Sequence, residues 1–71
     1  MPSVTNLSDT QLTVNYSAGE AQQVITKAEY ALIRDMPNDR LKAIIFIRTQ
    51  YAHNFYVAKQ IVDTIQNHNE Y

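Results

Sequence analysis

No cysteine occurs in the 71-residue sequence, and Gly19 is its single glycine. The first absence removes disulfides, thiolate metal sites and cysteine nucleophiles, so packing or a partner must supply any staple the fold needs. The second removes every glycine-rich phosphate loop, whose close backbone approach needs several glycines. No apolar run approaches the ~18 residues of a membrane span. The stretch Met1-Pro2-Ser3-Val4-Thr5-Asn6 has neither the basic nor the apolar region of a secretory leader. A cytoplasmic location without membrane contact is expected, and the sequons Asn6-Leu7-Ser8 and Asn15-Tyr16-Ser17 matter only in a secretory pathway. Six bases against seven acids leave a net charge of -1, so bulk attraction to nucleic acid is not expected.

What is present is a folding composition, 45% apolar with five Tyr and two Phe. A chain this short builds one modest core and hides only about 60% of its extended surface. Residues 1–9 are polar and read as a partly mobile lead-in with no assigned role. Thr10 to Tyr16 alternates, with Leu12, Val14 and Tyr16 on one face, the period of a half-buried strand. A turn at Ser17-Ala18-Gly19-Glu20 leads to Gln22-Gln23-Val24-Ile25-Thr26, a shorter strand that completes a hairpin if it pairs.

Thr26 and Glu29 match a capping box, and a helix from Lys27 to Met36 follows, its apolar stripe read as Ala28, Ala31, Leu32 and Met36. Pro37 stops it. Asn38 or Asp39 then caps a second helix with the stripe Leu41, Ile44, Ile45, Arg48 and Tyr51. Because residues 43–47 are apolar on all sides, a buried strand stays open as the alternative there. Asn54 starts a last helix over 55–67, with Ala58, Ile61, Val62 and Ile65 at i, i+3, i+4 and i+7. The expected fold class is α+β, a short N-terminal strand or hairpin packed against three helices, with a single domain over 10–67 and a frayed tail over 68–71.

Catalytic signals are few. His53 and His68 stand 15 apart, and the nearest carboxylate at ligand spacing is Glu70, in the tail. No serine sits in a nucleophile elbow, and the seven carboxylates are scattered without a close pair. The expectation is no enzyme, no catalytic residue, no metal and no cofactor.

Charge divides unevenly along the chain. From Arg40 to Val62 there are four bases, Arg40, Lys42, Arg48 and Lys59, and no acid, while all seven acids lie elsewhere. Ordinary solvated helix faces account for such a segment, and so does a surface that meets an acidic protein or a phosphate backbone. Arg48, Tyr51, Phe55 and Lys59, with His53 and Tyr56 close by, form the candidate nucleic-acid set, since aromatics between cations stack on unpaired bases.

The segment Arg40-Leu41-Lys42-Ala43-Ile44-Ile45-Phe46-Ile47-Arg48, followed by Ala58-Lys59 and Ile61-Val62-Asp63, resembles the two-helix element in the C-terminal domain of the bacterial ribosomal stalk protein. That family has an apolar helix ending in Arg and then T-G-L-G-L-K-E-A-K-x-x-V-E. Here Ala58, Lys59, Val62 and Asp63 stand at the A, K, V and E, and Phe55 at the second Leu, while Ala52 and Asn54 replace the glycines and His53 the first Leu. The likeness covers about 24 residues. It implies a helix-turn-helix on a small sheet that docks other proteins without catalysis, through Arg40, Leu41, Ile44, Phe55 and Lys59. Ile45 stands where that family has a second Lys, and the strand, helix and strand that follow there have no counterpart after Asp63.

The expected function is thus a small protein-binding adaptor or modulator, of the kind found as accessory proteins of bacteria or bacteriophages. Its partner, another protein with an acidic surface, is met by Arg40, Lys42 and Lys59 for charge and by Leu41, Ile44 and Phe55 for apolar contact. The alternatives are an RNA- or single-strand-binding module on the same surface, and a homodimer that buries the apolar stretch Ile44 to Ile47.

Overall fold

The computed structural model describes residues 3–16, 21–36 and 38–67. They form three strands, β1 (Ser3–Asn6), β2 (Gln11–Asn15) and β3 (Gln22–Thr26), then three helices, α1 (Lys27–Arg34), α2 (Arg40–Tyr51) and α3 (Phe55–Gln66). The expected turn at 17–20 and the tail at 68–71, with His68 and Glu70, lie outside the described residues. The α+β class holds, but the sheet has three strands where the sequence pattern shows one or two.

The additional strand is β1, in the polar stretch read as a lead-in. It pairs antiparallel with β2, Val4 opposite Val14 and Asn6 opposite Leu12, and β2 pairs antiparallel with β3, Leu12 opposite Ile25. Directly opposed residues share a face, so Val4, Leu12, Val14 and Ile25 lie together and all four are buried. One inward Val in four residues shows no alternation that a sequence scan detects. The other face carries Ser3, Thr5, Gln11, Thr13, Asn15, Gln22, Val24 and Thr26, without a charged side chain. There Asn15 Nδ2 donates to Ser3 Oγ at 3.2 Å and to Thr5 Oγ1 at 3.3 Å.

The hand-off from sheet to helix is built as the capping box requires. Thr26 Oγ1 accepts from the Glu29 amide at 3.0 Å, Glu29 Oε1 accepts from the Thr26 amide at 2.9 Å, and the Lys27 amide still donates to the Thr10 carbonyl, extending the ladder. Those bonds fix the rotation of α1, and it is not the rotation read from the Ala28, Ala31, Leu32 and Met36 stripe. Tyr30 and Ile33 are the buried pair; Ala28 and Leu32 are exposed, and Ala31 and Met36 half-buried. Tyr and Ile remove more apolar area from water than two alanines do, so the orientation that buries them wins.

Residues 43–47 are helical, which closes the strand alternative. α2 buries Ala43, Ile44 and Ile47, so its inner face is turned from the expected stripe, and Ile45 and Arg48 are exposed. α3 follows expectation: Ala58, Ile61, Val62 and Ile65 are all buried. α3 touches β1, β2, α1 and α2, whereas α2 packs chiefly on α3, so α3 is the centre of the molecule. Asn54 Oδ1 caps it, accepting from the Val57 amide at 2.8 Å.

Between α2 and α3 the chain turns through Ala52, whose φ of 56° and ψ of 39° are left-handed. A Cβ is unfavourable there, and glycine is the usual residue at that helix end. Ala52→Gly is expected to raise stability by about 0.5 to 1 kcal/mol despite its looser unfolded chain. A urea titration with an unchanged slope and a higher midpoint is the matching result; a lower midpoint contradicts it.

Candidate protein-docking face on helix α2

With only three residues between them, α2 and α3 run antiparallel, and the start of α2 meets the end of α3. The contact there is an ion pair, Arg40 Nη2 with Asp63 Oδ1. Asp63 also receives Lys59, Nζ to Oδ2 at 3.6 Å across one turn of α3. Two of the four cations in the 40–62 segment therefore converge on an acid just past its end. Asp63 lies one residue beyond the charge window and its carboxylate reaches back into it, so folding engages two of the four cations while cancelling one unit of the positive excess, from +4 to +3.

The ion pairs are half-exposed, which limits their worth. Asp63→Asn is expected to cost less than about 1 kcal/mol, since solvent screens such pairs and their long side chains lose entropy in forming them. Urea midpoints of the two proteins test this, and a loss above about 2 kcal/mol contradicts the picture of a peripheral cluster.

Lys42 and Arg48 differ. Both are exposed on α2, and among the described residues neither forms an ion pair. Between them stands Ile45, three residues from each, with Leu41 four residues before it on the same side of the helix. Leu41 is 61% and Ile45 48% exposed. The outward face of α2 is thus two adjacent large aliphatic side chains with an unpaired cation on either side.

Of the expected partner-binding residues, Arg40, Leu41, Lys42, Phe55 and Lys59 are at the surface. Ile44 is not: it is 5% exposed and belongs to the core, because the inner face of α2 is centred on Ala43, Ile44 and Ile47. Ile45 takes the outward position instead. The spacing of Leu41, Ile45 and Arg48 was legible in the sequence, but the same three residues also fit an inward stripe.

The nucleic-acid set is brought together less well. Arg48 and Phe55 are exposed, Lys59 is occupied by Asp63, and Tyr51 is half-buried with its hydroxyl donating to Glu29 Oε1. Burial and the Glu29 carboxylate both hold the Tyr51 phenol well above the usual tyrosine range. His53 is also engaged. Its Nε2 lies 2.7 Å from Gln23 Oε1, and its ring meets Tyr16 edge-on at 6.1 Å between centroids. These contacts tie the α2–α3 turn to the sheet.

Among the described residues no three His, Asp or Glu side chains form a metal-binding cluster, and no helix is long and apolar enough to cross a membrane. In comparisons with known proteins, no family model, no curated protein and no solved structure matches the chain.

Proposed function

We propose that this protein is a non-enzymatic binding module that docks an acidic, apolar-centred segment of another protein on the outward face of α2. The observation that carries the reading is the exposed pair Leu41 and Ile45 flanked by Lys42 and Arg48, cations without ion pairs among the described residues. Apolar anchors at the centre of a contact supply most of its affinity, and charges at its rim steer the approach and select the sign of the partner. The likeness to the stalk element points the same way, toward docking through an apolar helix with basic neighbours. Arg40 and Lys59 serve this surface indirectly, by neutralising Asp63 at its margin, and Phe55 is a further exposed apolar side chain at the start of α3.

The reading is tested with the tagged full chain as bait in bacterial lysate, with and without RNase, beside an Ile45→Glu variant and a Lys42→Glu, Arg48→Glu variant. The expected result is a stoichiometric protein that survives RNase, is lost with Ile45→Glu, and is weakened by the charge reversals in a salt-dependent way. Circular dichroism confirms that each variant is folded. A catch abolished by RNase replaces this reading with nucleic-acid binding, for which Arg48, Tyr51, Phe55 and Lys59 are the residues to change. A catch indifferent to all three substitutions removes α2 as the site.

A further inference from the structure

The two edges of the sheet are not alike. In an antiparallel pair the residues alternate between those that exchange backbone bonds with the partner strand and those that point away from it. The Leu7 amide donates to the Gln11 carbonyl at 3.1 Å, which places Leu7, and by alternation Thr5 and Ser3, on the bonded side facing β2. Val4 and Asn6 therefore aim their amide and carbonyl groups outward. Among the described residues those groups have no partner.

The same parity on the opposite edge leaves Gln22, Val24 and Thr26 pointing outward from β3. There side chains already take two of the outward groups: Gln23 Nε2 donates to the Val24 carbonyl at 2.9 Å and the Thr26 amide is held by Glu29. β1 has no such device. Ser3 to Asn6 carries no charge, no proline and no bulge, which are the usual means of closing an edge to strand addition. Val4 itself keeps 6% exposure where Leu12 and Val14, inside the sheet, have none.

We propose that β1 is a self-association edge, on which a second copy of the chain adds its own β1 antiparallel to make a continuous six-stranded sheet. The strand is complementary to itself in one register. With Thr5 opposite Thr5 on the two-fold axis, Val4 of each copy opposes Asn6 of the other, and all outward groups of the two residues pair, giving four backbone bonds. Moving the register one way puts Pro2, which has no N–H, opposite Asn6. Moving it the other way puts Ser8 opposite Val4, and the Ser8 amide already donates to the Gln11 carbonyl. Because β1 is uncharged, a second copy meets no like charge across the pairing. So short an edge makes a weak, concentration-dependent dimer.

Thr5 decides the test, since its exposed side chain points to the outer face, where it accepts from Asn15 Nδ2 of its own chain and, in the dimer, faces the Thr5 of the second copy. Sedimentation equilibrium of the full chain up to about 1 mM is expected to show a monomer–dimer equilibrium. Asn6→Pro, which removes one outward amide per copy and no bond to β2, is expected to weaken the dimer about thirtyfold. Thr5→Lys and Thr5→Glu are each expected to weaken it about fivefold at low salt, and an equimolar mixture of the two is expected to dimerise at least as well as the unsubstituted chain. Amide exchange at Val4 and Asn6 should slow as concentration rises. A chain that is monomeric throughout overturns the proposal. So does a dimer that tolerates Asn6→Pro, or a Lys–Glu mixture that stays monomeric while both variants keep the helical spectrum. The α2 face shares no residue with β1, so Ile45→Glu leaves this dimer unchanged, and the two proposals fail separately.

Discussion

Ile61→Ala is expected to bring the protein close to unfolding at room temperature. Ile61 lies midway along α3, fully buried, in the helix that touches both the sheet and the other two helices. Truncation removes three carbons from the middle of the helix that contacts β1, β2, α1 and α2, and such surroundings close only partly on the gap. The loss in such sites is about 3 to 4 kcal/mol, the transfer energy of the deleted carbons plus the cavity left behind. A chain of 71 residues has a total of roughly 4 to 10 kcal/mol. Urea unfolding is expected to show a midpoint lower by roughly 3 M, using a slope of about 1 kcal/mol/M. Leu41→Ala is the control, expected to change stability by less than about 0.5 kcal/mol because its side chain is already in water. Equal effects from the two substitutions would place the core elsewhere.

Glu29→Ala carries the next largest effect because one carboxylate serves two elements. Its Oε1 accepts from the Thr26 amide at the start of α1 and from the Tyr51 hydroxyl at the end of α2. Removing it opens the capping box, at about 1 kcal/mol, and leaves a half-buried phenol without its acceptor, at about 1 to 2 kcal/mol more. Tyr51→Phe alone is expected to cost about 1 kcal/mol. The double variant is expected to be less destabilised than the two losses added together, which a four-protein urea cycle measures. Strict additivity would mean that the bond contributes nothing.

The same pair sets an alkaline limit. Burial, the hydrogen bond to Glu29 and the Glu29 charge, in that order, raise the Tyr51 phenol in the folded chain. A raised acid favours the protonated native form, so its contribution is complete below the unfolded tyrosine pKa of about 10 and is lost as pH climbs through the folded value. The unsubstituted protein should therefore lose stability above about pH 10 more steeply than Tyr51→Phe. Parallel pH profiles would show that Tyr51 is not perturbed.

How much of this was legible depended on whether a signal was local. The capping box at Thr26 and Glu29 and the cap at Asn54 were read correctly, because each side chain bonds a backbone group three residues away. The β2 alternation and the α3 stripe were likewise unambiguous, since each has a single apolar face. α1 and α2 each offer two. Ala28, Ala31 and Leu32 compete with Tyr30 and Ile33; Leu41, Ile45 and Arg48 compete with Ala43 and Ile47. Spacing ranks neither pair.

In the candidate site the spacing puts Ile44 and Ile45 on one stripe, with Ile44 also among the expected contacts; in the fold Ile45 is surface, Ile44 is core, and Asp63 takes two of the four cations. Local sequence by itself determined β2, α3, the caps at Thr26 and Asn54 and the exclusion of cysteine chemistry and glycine-rich phosphate loops, because these depend on residue type and on neighbours within a turn. Only the tertiary structure decided which face of α1 and α2 turns inward, that Ser3–Asn6 is a strand, and how much positive charge stays unpaired. Each of those is settled by residues far apart in sequence: by the rotation that buries the most apolar area against the sheet and α3, by the backbone bonds that β2 offers to β1, and by Arg40 and Asp63 meeting across an antiparallel helix pair.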